Sequence, residues 1–255
     1  LIIVASLTSD YFFPGVAPQL QHRFNMNTVG AFDIKAACSA FIYALSIGDQ
    51  YIKTGEYKNI LVVGAEVQST ALNLSTEGRD MAVLFGDGAG AAVLQPSTGD
   101  SGILSTHLHS QGEYLKMLWC EGPASRENPR LSTKMLKEGR HYPAMNGREV
   151  FKNALTRFPE VIQEALEANQ LTLDDIALII PHQANYRISQ AVAKRMGVGM
   201  DKLYSNIHRY GNTTGASIPI ALCEAYQEGK FRRGDYIILA AFGAGFTWAS
   251  AAIRW

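Results

Sequence analysis

Three segments that lie far apart in the chain each carry a residue type used in thiol-based acyl chemistry. Cys38 lies in a run of small residues that opens an apolar helix, and His182 and Asn212 lie in two later loops. A cysteine at a helix N-terminus meets backbone N–H groups and the positive end of the helix dipole, which favour a thiolate. The sequence therefore predicts a nucleophilic thiol at Cys38, stabilised by its helix.

Each of these three residues also has an ordinary structural explanation. A lone cysteine in apolar sequence is most often a buried structural thiol, an isolated histidine is often a hydrogen-bonded loop residue, and an asparagine after glycine often caps a turn. His182, however, directly follows the apolar run at 177–181, which predicts a buried strand. Ligand sites of α/β proteins collect at the ends of such strands, so the position favours a functional role for His182.

The composition is that of an ordinary globular protein. The 255 residues are 47% hydrophobic and 18% charged, and 23 basic residues balance 23 acidic ones, which argues against nucleic acid or an anionic membrane as a partner. The three cysteines, Cys38, Cys120 and Cys223, form no C-x-x-C pair, so we expect no disulfide framework, no metal site and a reducing, cytoplasmic location. His107 and His109 alternate on a predicted strand without a nearby carboxylate, and we expect them to be surface residues.

An internal repeat indicates the architecture. Two apolar strands, each followed by a loop and a helix, begin the two halves at 1–6 and 177–182. Apolar helices at 37–51 and 214–226 precede strands at 59–63 and 236–240, and each half closes with a glycine-rich turn into a further strand. Buried strands alternating with helices predict two mostly parallel sheets related by a pseudo-twofold axis. In this repeat, Asn212 is expected to open the second helix as Cys38 opens the first.

The repeat also predicts the domain boundaries. We expect an N-terminal half at 1–95, an irregular connecting or cap region at 96–145 and a C-terminal half at 146–255. An amphipathic helix around 150–166 precedes the first strand of the second half and has no counterpart in the first half. We therefore expect that a strand and its helices precede Leu1 in the native protein, that the apolar surface of Leu1–Val4 is bare, and that residues 1–255 alone are insoluble or inactive.

Five segments, taken in order, resemble β-ketoacyl-acyl-carrier-protein synthase III of the thiolase-like superfamily. The resemblance implies a five-layered αβαβα fold built from duplicated α/β units with two mixed sheets. It also implies an acyltransferase that starts type II fatty-acid synthesis by condensing an acyl-CoA primer with malonyl-acyl-carrier protein, with loss of CO₂ and without a further cofactor. The segments are Ala36-Ala37-Cys38-Ser39-Ala40-Phe41, Phe85-Gly86-Asp87-Gly88-Ala89-Gly90, Pro181-His182-Gln183-Ala184-Asn185, Gly211-Asn212-Thr213 and Phe242-Gly243-Ala244-Gly245-Phe246-Thr247-Trp248.

The resemblance assigns a role to each residue of the site. Cys38 would carry the acyl group, and His182 Nε2 with the Asn212 side-chain amide would hold the enolate oxygen formed by decarboxylation. The backbone N–H groups of Cys38 and Ala244 would form the oxyanion hole. The family usually has glycine at the position of Ala244, so we expect the extra methyl group to shift the local backbone.

The resemblance also implies a homodimer and a set of binding residues. Phe13 would cross the dimer interface to close the partner's acyl pocket, Phe242 would line the pocket of its own chain, and Arg79 would lie near the CoA adenine. Four basic residues would dock the acidic carrier protein or the CoA phosphates, with an ordinary solvated helix face as the alternative: Lys152, Arg187, Lys194 and Arg195.

Three other functions compete with the condensing enzyme. A thioesterase or hydrolase would use His182 as a general base for water, but the surrounding alanine, glycine and phenylalanine residues favour a dry site. A non-catalytic subunit would be expected to lack Cys38. A related type III polyketide or quinolone-type synthase is the closest alternative, because Asn212 separates this chain from elongating synthases, which have a second histidine, and from thiolases, which have a second cysteine.

Overall fold

Two four-stranded mixed sheets form the framework of the computed structural model, which describes residues 1–255. The strands of the first sheet are β1 (Ile2–Ala5), β2 (Ala31–Ile34), β3 (Ile60–Glu66) and β4 (Gly88–Leu94). Those of the second are β5 (Gly102–Ser110), β8 (Ile176–Pro181), β9 (Tyr236–Gly243) and β10 (Thr247–Arg254), and β6 (Leu118–Cys120) pairs with β7 (Pro143–Met145) in a separate ribbon. The helices are α1 (Val16–Arg23), α2 (Ala40–Lys53), α3 (Arg79–Ala82), α4 (Thr133–Lys137), α5 (Gly147–Ala168), α6 (Tyr186–Met196), α7 (Ile207–Tyr210) and α8 (Ser217–Gln227).

The two sheets have related strand orders. The first runs β2-β1-β3-β4, with β1 parallel to both neighbours and β4 antiparallel to β3. The second runs β5-β10-β9-β8, with β8 parallel to β9, and β10 antiparallel to β9 and β5. Both are therefore mixed sheets. The expectation of mostly parallel sheets holds for the first but is wrong for the second, in which two of the three strand pairs are antiparallel. Strands β1, β3 and β4 correspond to β8, β9 and β10. The predicted repeat is confirmed at the level of strands.

The helices complete five layers. α2 and α8 lie between the sheets, where Phe41, Ile42 and Ile218 join strand residues of both sheets in one hydrophobic core. α5 and α6 cover the outer face of the second sheet in another core, and α1 covers the first sheet. Burial of these apolar helix faces against the sheets supplies the main driving force for this arrangement. The αβαβα prediction is confirmed.

The predicted bare surface on the first strand is wrong. Ile2, Ile3 and Val4 are buried, because β2 and β3 flank β1 and helices cover both of its faces. Ala17 of α1 packs on one face, and the core formed with α2 lies on the other. The strand lies in the interior of its sheet.

The predicted boundary between the connecting region and the C-terminal half also needs correction. Strand β5 lies within 96–145, yet it pairs along its length with β10 and belongs to the second sheet. The rest of this region contains the β6–β7 ribbon and α4, and an ionic cluster in which Arg140 contacts Glu121 at 2.6 Å and Glu127 at 2.7 Å. The irregular region is thus smaller than the sequence predicted.

His107 and His109 on β5 are not simple surface residues. Their rings approach the same carboxylate, Glu164 of α5, at 3.3 and 2.6 Å, and His109 also stacks on Trp248. The carboxylate comes from an element more than fifty positions away, which local sequence could not reveal.

None of the helices has the length and hydropathy that crossing a bilayer would require.

Candidate active site

Cys38 lies in a short turn of 3₁₀ helix, Ala37–Ser39, which leads directly into α2. We call it the Cys38 turn. Ala37 has a φ of +46°, a left-handed conformation that is uncommon for a residue with a side chain. The turn is held against the second sheet, because Ser39 Oγ donates to the Thr247 carbonyl at 3.1 Å. The strain is thus fixed by contacts from the other half of the chain.

A glycine allows the sulfur to approach the second sheet. A Cβ atom placed on Gly243, at the end of β9, would lie 2.5 Å from Cys38 Cβ and 2.6 Å from Sγ. Any side chain at position 243 would therefore displace the thiol. Gly243 belongs to the glycine-rich segment for which the sequence predicts a turn, and this segment also packs directly against Cys38.

The electrostatics of Cys38 differ from the prediction. Burial and, to a smaller extent, the nearby Glu66 carboxylate together raise the pKa of the thiol to about 12, although hydrogen bonds from the N–H groups of Ala244 and Cys38 act in the opposite direction. The predicted stabilised thiolate is therefore wrong for the resting site, because the desolvation of a fully buried sulfur outweighs the helix terminus. Cys38 rests as a thiol.

His182 follows β8 directly and is buried. Its backbone N–H donates to the Ala240 carbonyl at 2.7 Å, and its Nδ1 lies 2.6 Å from Ser217 Oγ. Its Nε2 is buried and has no partner within the protein. Burial lowers the pKa of His182 to about 3, so the ring is neutral at physiological pH and Nε2 is left for a ligand.

Asn212 is positioned by the backbone around it. Its N–H donates to the Leu84 carbonyl at 2.8 Å, and its side-chain Oδ1 accepts from the Thr214 N–H at 2.9 Å. Since the oxygen is occupied by a backbone donor, the side-chain NH₂ is the group left for a ligand. The residue therefore acts as a hydrogen-bond donor in its cavity.

The predicted equivalence of Cys38 and Asn212 in the repeat is wrong by three residues. The counterpart of the Cys38 turn is Thr214–Ala216, which we call the Gly215 turn; it leads into α8, and Thr214 has a φ of +49°. Cys38 therefore corresponds to Gly215, and Asn212 lies before the turn. The first unit thus contributes Cys38 from the turn itself, whereas the second unit contributes Asn212 from the loop before its turn.

Cys38, His182 and Asn212 line one cavity of about 180 Å³. Phe242 lies in its wall, and so do apolar residues that the sequence analysis did not single out as functional: Leu84, Phe85, Leu118, Met145, Val150, Phe151 and Ile188. Phe85 was visible as the first residue of a glycine-rich motif, and Val150 and Phe151 as members of the amphipathic helix. Leu118 and Met145 come from the β6–β7 ribbon, and no sequence pattern indicated that they would line the site. The connecting region therefore covers the site.

Family models match both halves of the chain. Residues 32–112 match the model of 3-oxoacyl-[acyl-carrier-protein] synthase III, and residues 166–255 match the model of its C-terminal part. β-Ketoacyl-[acyl-carrier-protein] synthase III of Roseiflexus castenholzii is 44% identical and that of Clostridioides difficile 45% identical, each over 100% of this chain and 76% of the relative. The chain belongs to this family. The synthase III crystal structure from Aquifex aeolicus superposes with a TM-score of 0.90 at 42% identity, over 100% of this chain and 76% of that one.

This synthase III chain is therefore a thiolase-like condensing enzyme and an acyltransferase. Two of the predicted binding residues were assigned to places outside this cavity, Phe13 to the partner's acyl pocket and Arg79 to the surroundings of the CoA adenine. Phe13 is 78% exposed, and Arg79 lies on α3 with its side chain 75% exposed beside Asp80. Neither contributes to the cavity of this single chain.

The neutral state of His182 predicts a pH dependence of stability. Because the folded pKa is about 3 and the ordinary value is 6.5, the unfolded chain binds a proton that the folded chain does not. The contribution of the neutral His182 ring to the free energy of unfolding should be fully present above pH 6.5 and should decrease as the pH falls toward 3. The contribution of His182 between pH 6.5 and 5 is at most about 2 kcal/mol.

Urea denaturation at pH 7.5 and 5.0 would measure this effect. The His182→Gln variant should lose less stability between the two pH values than the parent protein. His22→Gln, which replaces an exposed histidine, should behave like the parent. An equal loss in the His182 variant and the parent would contradict a buried neutral ring.

Proposed function

We propose that Cys38, His182 and Asn212 carry out the decarboxylative condensation that joins an acyl-CoA primer to malonyl-acyl-carrier protein and so starts fatty-acid synthesis. The observation that carries this proposal is the cavity itself. It brings together a buried thiol that faces two backbone N–H groups, a neutral histidine with a free Nε2 and an asparagine with a free NH₂. Family membership supports the reaction class.

In the first step, Cys38 Sγ attacks the thioester carbonyl of the primer. A C–S bond forms, the carbonyl oxygen becomes negatively charged, and the N–H groups of Ala244 and Cys38 stabilise it. The bond between the carbonyl carbon and the CoA sulfur then breaks, and the leaving sulfur takes up the proton that the Cys38 thiol gives up during the attack, so that CoA leaves as a thiol. Burial raises the pKa of Cys38, so the thiol is the form that is present before the attack.

In the second step, the malonyl thioester loses CO₂ while His182 and Asn212 donate hydrogen bonds to its thioester oxygen. The electron pair of the broken C–C bond forms an enolate, whose carbon attacks the acyl-Cys38 carbonyl. Collapse of this second tetrahedral intermediate expels the sulfur, which takes up a proton. The products are the β-ketoacyl-carrier thioester and a free Cys38 thiol.

The wall of the cavity favours condensation over hydrolysis. Leu118, Met145, Val150, Phe158 and Phe242 surround the reacting groups and exclude water, which would otherwise protonate the enolate or hydrolyse the acyl-enzyme. A hydrolase of this type would instead need water next to a histidine base.

Product analysis tests the proposal. The protein is incubated with a labelled acyl-CoA and malonyl-carrier protein, and the products are separated as thioesters and free acids. We expect a chain-extended β-ketoacyl thioester and an intact-mass increase of one acyl group on the protein. Free acid as the main product would support the hydrolase instead. A panel of acyl-CoAs of different length and branching would identify the primer.

We also propose that basic residues on α5 and α6 dock the carrier protein. Lys152, Arg187, Lys194 and Arg195 are exposed, and none of them forms an ion pair within the chain. Arg187 and Lys194 lie seven positions apart on α6 and thus share one face of the helix. Asn185 of the cavity wall precedes α6 directly, so the N-terminal end of this helix lies next to the site.

Charge reversal tests the docking surface. The Arg187→Glu/Lys194→Glu double variant should raise the KM for malonyl-carrier protein by about tenfold and flatten its dependence on salt, since steering by opposite charges is screened by ions. Initial rates over a salt series measure both effects. Lys137→Glu/Lys230→Glu, with the same change in net charge on exposed residues of other elements, is the control. Unchanged kinetics in the α6 variant would show that these residues form an ordinary solvated helix face and do not dock the carrier protein.

We further propose a homodimer that acts in the cytoplasm. The outer edge of β2 is unpaired, and several large apolar residues close to it in sequence are exposed: Tyr11, Phe12, Phe13, Phe24, Met26 and Val29. An open sheet edge next to apolar surface favours pairing with a second copy, and Phe13 would then reach the partner. The three unpaired cysteines fit a reducing compartment.

Sedimentation velocity tests the dimer. Phe24→Glu should raise the dissociation constant at least tenfold, because it places a charge in the proposed apolar interface. Leu136→Glu, on α4, replaces another exposed apolar residue and should leave the sedimentation coefficient unchanged. A monomeric parent protein at micromolar concentration would contradict the proposal.

A further inference from the structure

We propose that Ser217 is a positioning residue that holds His182 in the tautomer with the proton on Nε2. This inference rests on the proposed function, because it concerns the group that donates to the malonyl thioester. The juxtaposition that carries it is the 2.6 Å contact between Ser217 Oγ and His182 Nδ1, within a pair of side chains that are each 2% exposed.

The hydrogen-bond partners of Ser217 Oγ determine where its proton lies. Besides Nδ1, the oxygen contacts only the backbone N–H of Gln183, at 3.4 Å. This N–H is a donor, so Ser217 Oγ accepts a hydrogen bond from it. The hydroxyl proton therefore has one acceptor within reach, the lone pair of Nδ1. An Nδ1 that accepts a proton carries none itself, and a neutral imidazole then has its proton on Nε2.

The opposite tautomer would leave the Ser217 hydroxyl proton without an acceptor. With the proton on Nδ1, Ser217 Oγ would accept from two N–H groups, and its own proton would have no acceptor in the buried site. Nε2 would then present a lone pair to the cavity, where the thioester oxygen of the substrate also presents lone pairs. The first arrangement attracts that oxygen and the second repels it. The second would instead suit a base acting on water.

The surrounding fold fixes both partners. Ser217 is the first residue of α8, and the Gly215 turn sets its direction. The Gln183 side chain donates to the carbonyls of Pro181 and Tyr204, at 2.7 and 3.2 Å, and accepts from the Asn206 N–H at 3.1 Å. These contacts lock the loop that carries His182. The N-terminal end of α8 also disfavours a positive charge on the ring. The doubly protonated ring is therefore excluded, and only the two neutral tautomers remain.

Nuclear magnetic resonance of the [¹⁵N]histidine-labelled protein reads the tautomer without reference to activity. The two ring nitrogens of a fixed neutral tautomer have widely separated shifts, and the His182 signals are assigned by their loss in His182→Gln. We expect the parent protein at pH 7 to show a protonated Nε2 and an unprotonated Nδ1. A protonated Nδ1 in the parent protein would overturn the inference by itself, with no variant needed.

Substitution tests the role of Ser217. In Ser217→Ala, the His182 shifts should move toward the averaged values of a ring that exchanges between tautomers, and kcat for malonyl decarboxylation should fall about tenfold or more with little change in KM. Acylation of Cys38 should stay within about twofold. Ser217→Thr keeps the hydroxyl and should restore both the shifts and most of the rate. Shifts identical to the parent in Ser217→Ala would overturn the inference, whatever the rate.

A control separates tautomer selection from the loss of any buried hydroxyl. Ser250→Ala removes a fully buried hydroxyl that donates to the Val161 carbonyl on the α5 side of the second sheet, and it should leave the His182 shifts unchanged. The two proposals also fail in different ways. Condensation product together with a protonated Nδ1 would overturn the role of Ser217 alone, whereas a protonated Nε2 in a protein that yields only free acid would overturn the proposed function.

Discussion

Replacing Cys38 with serine should abolish acyl-enzyme formation from acyl-CoA, with a fall in rate of at least about 10³-fold. A serine hydroxyl is a much weaker nucleophile than a cysteine thiol and needs a general base to attack a thioester. The neutral His182 with its proton on Nε2 cannot act as that base. Intact-mass spectrometry after mixing with acyl-CoA measures the acyl group on the protein directly.

The two other cysteines provide matched controls. Cys120 and Cys223 are unpaired and lie outside the cavity, so Cys120→Ser and Cys223→Ser should acylate as the parent protein does. Acylation that persists in Cys38→Ser and disappears in one of the control variants would show that the nucleophile has been assigned to the wrong residue.

Removing either donor to the enolate oxygen should impair decarboxylation far more than acylation. We expect His182→Ala and Asn212→Ala each to lower malonyl decarboxylation by about 10²- to 10³-fold, the effect of losing one preorganised donor to an oxyanion. Acylation of Cys38 should stay within about fivefold, because the first oxyanion is held by backbone N–H groups. Release of labelled CO₂ reports the second step, and intact mass reports the first.

The two steps must be compared in the same variants. His22→Ala and Asn169→Ala change the same residue types away from the cavity and should affect neither step. If acylation fell as far as decarboxylation in the His182 and Asn212 variants, these residues would be acting as activators of the thiol, and the separation of roles would be wrong.

Local periodicity was enough to predict most elements of the fold. The helix predicted to follow the strand at 177–182 and its loop is α6, and the apolar runs at 59–63 and 177–182 correspond to β3 and β8, because burial on a helix face or in a central strand leaves a regular pattern. The position of His182 at the end of a strand was also correct. Strand β5 was harder to assign to a sheet, since an edge strand alternates weakly and its partner β10 lies at the far end of the chain.

The properties of the site depend on distant residues and were less predictable. The pKa of Cys38 is set by the burial that Gly243 permits and by Glu66, neither of which is a neighbour in sequence. Ser217 carried no signal, because a serine at the start of a helix usually serves as a cap. The three-residue offset between Cys38 and Asn212 became visible only when the two turns could be superimposed by their backbone conformations.

The glycine beneath Cys38 has a counterpart, and together they link catalysis to the assembly of the two halves. Gly243 of the second sheet supports the Cys38 turn of the first unit, and a Cβ on Gly64 of the first sheet would lie 2.4 Å from the Gly215 carbonyl of the second unit. Each turn therefore rests on the sheet of the other unit. Neither unit can complete its own half of the site before the two have docked. The sulfur of Cys38 can therefore be used to follow that docking. A thiol reagent reaches Cys38 in the folded protein only through the substrate cavity, so the increase in its alkylation rate above that baseline, as urea is raised, reports how often the halves separate.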